Sequence, residues 1–192
     1  MKTTDIENRV KEVLPESRFT HTLGVRDEAV RLAEQYNEDT YRIEVAALLH
    51  DYAKPLAKES LLNVLKEREP NENFSEFGGV LLHAPAGAYM IEREFKDVID
   101  QDIFNAVYWH TTGHPDMSTF EKIIFLADFI EPGRHFPGVH EVRKAAEKGL
   151  DEAVTACFVS TISHLVENRR PVHPMTLAAY NSMLMTKPSR SE

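Results

Sequence analysis

Apolar residues recur at three- and four-residue intervals along nearly the whole chain, the spacing of a helix face, rather than alternating as in strands. The pattern predicts helices over 3–14, 18–36, 40–52, 58–68, 85–94, 98–111, 118–131, 139–148, 151–168 and 174–185. Punctuation agrees. Ser17 can cap the second helix, Pro85 sits at an early helical position, and Gly113 and Pro132 each follow a helix end. Pro70–Gly79 reads as the one obvious loop. The fold class is therefore all-α. A chain of 192 residues fits one domain with a core of its own. Residues 1–14 are expected as a helix packed on that core, 15–185 as the domain, and 186–192 as a flexible tail.

Polar residues interrupt the inward faces at a few places. In YRIEVAALLHDYAK, Ile43, Ala46, Ala47 and His50 follow one stripe, while Val45, Leu48, Leu49 and Tyr52 follow the next. A helix apolar on so many sides is buried, so His50 and Asp51 should arrive in the interior together. Phe120, Ile124, Ala127 and Asp128 share a stripe, as do Ile99, Ile103, Ala106 and His110. A carboxylate at Asp128 would be costly to bury without a compensating cation. His21 lies in the first turns of the 18–36 helix, and His83 immediately precedes the helix started by Pro85. A lone buried histidine is usually a hydrogen-bonded core residue. Six such positions on five helices, with an adjacent His–Asp pair among them, read jointly as a metal site.

Imidazoles with carboxylates favour a first-row transition ion such as iron, manganese, cobalt or zinc over magnesium. The HEXXH and paired-cysteine patterns are absent, and so is a phosphate-cradling glycine loop. The single cysteine, Cys157, excludes an internal disulfide and fits a reducing cytosol. No apolar run suits a signal peptide or a membrane span, so a cytoplasmic protein with no membrane partner is expected. Acidic residues outnumber basic ones by 31 to 22, a net charge of −9 that speaks against nucleic acid as a partner. It would also repel a small polyphosphate unless a metal or a few Arg and Lys residues focus positive charge locally.

The order His21, His50-Asp51, Asp128 resembles the HD superfamily of metal phosphohydrolases, and more closely its YqeK-type branch of symmetrical dinucleoside tetraphosphatases. RFTHTLGV (18–25), AALLHDYAK (46–54), LLHAPAGA (81–88), YWHTTG (108–113), KIIFLADFIEPGR (122–134) and PGVHEVR (137–143) carry the likeness, which spans roughly residues 15 to 181. It implies an HD-domain helical bundle with an iron-type cation held by His21, His50, Asp51 and Asp128. His83 and His110 would hold a second metal or, as the favoured reading, contact nucleotide phosphates. The implied reaction is central hydrolysis of diadenosine tetraphosphate by a metal-activated water, giving two ADP. The alternatives are a mononucleotide or cyclic-nucleotide phosphohydrolase, a di-iron oxygenase and a non-catalytic scaffold.

The substrate-facing set is His21, Gly24, His83, His110, Thr111 and Arg134, and the catalytic set is Asp51, His83, His110 and Lys54. His83 or His110, charged or metal-bound, would offset charge developing on the phosphoryl oxygens. Lys54 either steadies a phosphate or pairs with Asp51. Arg134 suits a phosphate clamp because its planar fork binds oxygens in pairs, with a salt bridge to Glu131 as the plainer alternative. Thr111, Thr112 and Gly113 either meet phosphate or simply stop a helix. Phe129, Ile130 and Tyr89 could line a base pocket but read first as core, as does Trp109. His114, His135, His140, His164 and His173 read mostly as solvated. The partner is a small nucleotide, with a homodimer as the allowed assembly.

Overall fold

Buried apolar stripes and well-placed caps organise the chain into helices. The computed structural model describes residues 1–70, 72 and 79–185. Most of the Pro70–Gly79 loop and all of the 186–192 tail lie outside those residues. In chain order the helices are α1 (Thr3–Val13), α2 (Glu16–Tyr36), α3 (Thr40–Leu49), α4 (Lys58–Arg68), α5 (His83–Glu94), α6 (Gln101–Trp109), α7 (Thr119–Ile130), α8 (Val139–Ala146), α9 (Leu150–Glu167) and α10 (Pro174–Met185). A single 3-10 turn, Gly79–Leu81, leads into α5, and no strand occurs among the described residues.

The centre of the bundle is α3. Ile43 and every residue from Val45 to Leu49 have no exposed surface. Helix α2 packs along it on one side, α6 and α1 pack elsewhere around it, and α7 closes against both α2 and α6. Ile6 and Val10 of α1 are fully buried in the same core. Phe120, Ile123, Ile124, Leu126 and Ala127 of α7 join it, with Val154, Cys157 and Phe158 of α9 behind them. A satellite cluster of Ala53, Leu61, Leu65, Leu82 and Ala86 fastens α4 to the start of α5.

Caps set where the helices begin. The Asp39 carboxylate accepts from Arg42 N–H at 3.1 Å to open α3. Asp100 accepts from the N–H groups of Asp102 and Ile103, each at 3.0 Å, and so starts α6 later than the apolar pattern suggests. At α7, Ser118 and Glu121 form a reciprocal capping box. Three expectations need correction. Ser17 caps nothing, because α2 already begins at Glu16 behind Pro15. His83 opens α5 rather than preceding it, since a proline is tolerated anywhere in a first turn, where its missing N–H would have no helical partner. Helix α3 stops at Leu49, so His50 and Asp51 occupy its C-cap and the turn beyond.

Candidate metal centre

The helix ends converge on one point and bring the six interrupting side chains together. His21 comes from α2, His50 and Asp51 from the end of α3, His83 from the first residue of α5, His110 from the C-cap of α6 and Asp128 from the last turn of α7. Asp51 is the hub. Its Oδ1 lies 3.1 Å from His83 Nε2 and 3.8 Å from His110 Nε2. Its Oδ2 lies 3.4 Å from His50 Nε2 and 3.9 Å from His21 Nε2. Asp128 Oδ1 is 3.0 Å from His21 Nε2 and 3.9 Å from His50 Nε2. Two triads that could hold a metal ion result, His21–His50–Asp51 and Asp51–His83–His110, with Asp51 common to both.

All four imidazoles are oriented the same way. Nδ1–H of His50, His83 and His110 donates to the carbonyls of Ala47, Val80 and Val107 at 2.6, 2.8 and 2.7 Å. Nδ1–H of His21 donates to Glu131 Oε1 at 3.0 Å. With Nδ1–H so engaged, each ring turns Nε2 inward, the arrangement that outer hydrogen bonds impose on metal-bound histidine. His83 Nε2 and His110 Nε2 are 3.1 Å apart, and His50 Nε2 is buried without a hydrogen-bond partner. Lone pairs and carboxylate oxygens crowded this closely repel one another unless positive charge stands among them. The donor set thus fits a divalent cation.

Positive side chains close the open side of the cluster. Arg18 Nη1 donates to Asp51 Oδ2 at 2.9 Å. Lys54 Nζ is 3.1 Å from His83 Nε2 and 3.8 Å from Asp51 Oδ1. Arg134 donates to the Asp128 carbonyl at 2.9 Å and to its carboxylate at 2.5 Å, and reaches to 3.5 Å from His21 Nε2. Three cations around one cluster are the local focus that an acidic chain needs in order to admit a polyphosphate. Burial acts to raise the carboxyl of Asp51, but the surrounding His50, His83 and His110 rings, His50 foremost, hold it well below the usual carboxylate range. The Asp128 carboxyl is held down in the same way, against burial, by His21, His50 and Arg134. Burial, reinforced by His83 and His50, pushes His110 down to about 3, so that its ring is neutral at ordinary pH. Burial also pulls the Lys54 ammonium below its usual value, opposed by Asp51.

Several residues stand differently from expectation. Asp128 is not fully buried, since 22% of its side chain is exposed. Arg134 pairs with Asp128 rather than Glu131. The Glu131 carboxylate instead orients His21 and accepts from Gly133 N–H at 2.5 Å. Gly24 makes room for it, because a Cβ there would sit 2.6 Å from Glu131 Oε2. Arg18 and Glu131 are the site residues that sequence reasoning missed. Both lie inside the family-like segments, but each reads as an ordinary charged residue on a helix flank. Glu131→Ala is expected to weaken cation affinity about 10- to 100-fold, measured by competition with a chelator. Unchanged affinity would show that the His21–Glu131 bond does not tune the site.

Beside the cluster opens a cavity of about 320 Å³. Its wall takes in Leu82 and Pro85 on either side of His83, and Trp109, Thr111 and Thr112 on either side of His110. Trp109 thus lines a pocket rather than filling core, while Phe129, Ile130 and Tyr89 are not part of this wall. His173 also lines it, half-buried, with Nδ1 accepting from Met175 N–H at 3.2 Å. Half-buried His114 pairs with Glu121 at 2.7 Å. His135, His140 and His164 are exposed, as expected.

Comparison with known proteins agrees with this geometry. The HD domain family model matches residues 18–133. The symmetrical bis(5'-nucleosyl)-tetraphosphatase of Halalkalibacterium halodurans is 44% identical over 176 residues, covering 92% of this chain and 94% of the relative. The protein of the same name in Bacillus subtilis is 42% identical, covering 90% of this chain and 92% of its own. A crystal structure from Clostridium acetobutylicum, described as a predicted HD superfamily hydrolase involved in NAD metabolism, superposes with a TM-score of 0.89. It shares 38% identity and covers 97% of this chain and 99% of its own. With the cage and these relatives in agreement, the chain belongs to the HD-domain family, in the branch of the symmetrical bis(5'-nucleosyl)-tetraphosphatases.

Proposed function

We propose that the protein hydrolyses diadenosine tetraphosphate at the centre of its phosphate chain, giving two ADP, with a divalent cation held by His21, His50, Asp51 and Asp128 of the 15–185 domain. The observation that carries this reading is the cage itself, four inward-facing imidazole nitrogens around two carboxylates with Arg18, Lys54 and Arg134 at the rim, in a chain with 44% identity to a symmetrical tetraphosphatase. A cation bound there supplies Lewis acidity and makes hydroxide available near neutral pH. The rim cations bind and orient the phosphates, and Arg134 and Lys54 offset charge on the departing diphosphate. Asp51 shares in ligation and in handling the proton released by water.

His83 and His110 fit this scheme as ligands better than as phosphate contacts. Their Nδ1–H groups are already committed to backbone carbonyls, and a neutral Nε2 offers only a lone pair, which a phosphate oxygen cannot use. That arrangement favours a second cation on Asp51, His83 and His110 over the phosphate role. Iron suits the histidine-rich donor set. Thr111 stays in the substrate-facing set on the strength of its place in the cavity wall, and Gly24 stays there through the resemblance. The cytoplasm as its place and a homodimer as its assembly are expectations of the same reading.

The test is product analysis on a nucleotide panel. Diadenosine tetraphosphate should yield ADP as sole product. ATP with AMP would overturn central cleavage, and fast turnover of mononucleotides without dinucleotide cleavage would overturn the substrate.

A further inference from the structure

The cavity beside the metal cluster carries its own chemical information. Its rim holds two carboxylates, Glu69 and Glu72, and among the described residues no lysine or arginine lines it. A phosphate is repelled there, so the pocket suits an uncharged group that carries hydrogen-bond donors. Its walls, with Trp109, Pro85 and Leu82, offer the flat apolar faces that a nucleobase needs. A volume of about 320 Å³ is within the range of small-ligand sites and large enough for a purine.

Glu69 is held unusually firmly for a residue at a helix end. Its Oε1 accepts from Tyr89 Oη–H and Tyr108 Oη–H, each at 2.8 Å, which fills both lone pairs of that oxygen. Oε2 has no hydrogen bond among the described residues. Two tyrosines from α5 and α6 thus fix a carboxylate in the pocket wall, with Oε2 accepting from no other described residue. One such oxygen matches the single exocyclic amino group of adenine. Guanine, which presents two neighbouring donors, would need both oxygens.

We propose that Glu69, clamped by Tyr89 and Tyr108, is the base-specifying residue of this protein and accepts a hydrogen bond from the amino group of an adenine lodged against Trp109. The inference rests on the reading of the substrate as a dinucleoside tetraphosphate, with one of its two nucleosides in this cavity. Glu69→Gln tests it with a built-in reversal. The tyrosine hydroxyls hold the glutamine oxygen, which turns its amide N–H₂ toward the base. That group opposes the amino group of adenine and suits the 6-oxo group of hypoxanthine.

The experiment is calorimetric binding of ADP and IDP to the full-length, metal-containing protein, wild type and Glu69→Gln. The expected result is that wild type binds ADP about 10- to 100-fold more tightly than IDP, and that the variant brings the ratio to about one or reverses it. Metal content and melting temperature should not change. An equal ADP-to-IDP ratio in both proteins, or binding of neither nucleotide, overturns the proposal. A merely structural Glu69 would weaken both ligands together, which also overturns it. If the ratio depends on Glu69 but diadenosine tetraphosphate is not cleaved, the hydrolase reading falls and the base-reading role stands. If diadenosine tetraphosphate is cleaved and the ratio is indifferent to Glu69, the base-reading role falls and the hydrolase reading stands.

Discussion

Asp51→Ala protein is expected to purify without its cation and to turn over at less than about one thousandth of the wild-type rate. Loss of an outer group that only orients a ligand costs about 10- to 100-fold in affinity or activity. Asp51 is the ligand shared by both triads, with one oxygen serving each. Its removal leaves neither triad complete. It also strips Arg18 of its partner and Lys54 of its nearest carboxylate, so the rim loses the negative centre that holds it in place. Elemental analysis should fall from about one or two equivalents per chain to near none, while circular dichroism still reports a folded helical protein. A variant that keeps its metal and its turnover would remove Asp51 from the centre of the site.

Gly113→Ala should be the most damaging single-methyl change to the fold. Gly113 adopts φ +63, which costs an L-residue about 1–3 kcal/mol. A Cβ there would lie 2.6 Å from Phe158 Cζ and 3.2 Å from Met117 Sδ, both in the packed core. Overpacking of that kind costs about 1–3 kcal/mol more. At about 2–4 °C per kcal/mol for a chain of this size, a fall in melting temperature of about 4–24 °C is expected. Because Gly113 is three residues beyond His110, cation affinity should drop as well. Gly79→Ala is the control, since its nearest neighbour would be the flexible Lys58 side chain at 3.5 Å. Equal melting temperatures for the two variants would show that neither the backbone angle nor the Phe158 contact matters.

The helices were legible because burial here is written as periodicity. Apolar stripes on α3, α6 and α7 announced the core, and the same stripes exposed His50, His110 and Asp128 as misfits worth collecting. Boundaries were less legible where a side-chain cap, such as Asp100, overrides the apolar pattern, or where Pro85 sits inside a first turn instead of opening it. The sequence singled out the side chains that cluster but not their supports. Glu131 and Arg18 occupy positions where a charge is expected on any soluble helix, and only three-dimensional placement turns one toward His21 and the other toward Asp51. The clamp on Glu69 was invisible for a related reason. Its two tyrosines lie 20 and 39 residues further along the chain, and no local spacing links them.

Three of the four rings take their bearing from a carbonyl only three residues earlier in the chain, at Ala47, Val80 and Val107. Ring and carbonyl therefore travel as one rigid piece, and each helix end carries its own aiming device wherever the bundle puts it. What tertiary packing must deliver is position alone, not rotation. The pocket is then shaped before its guest arrives, and little conformational entropy is lost on capture.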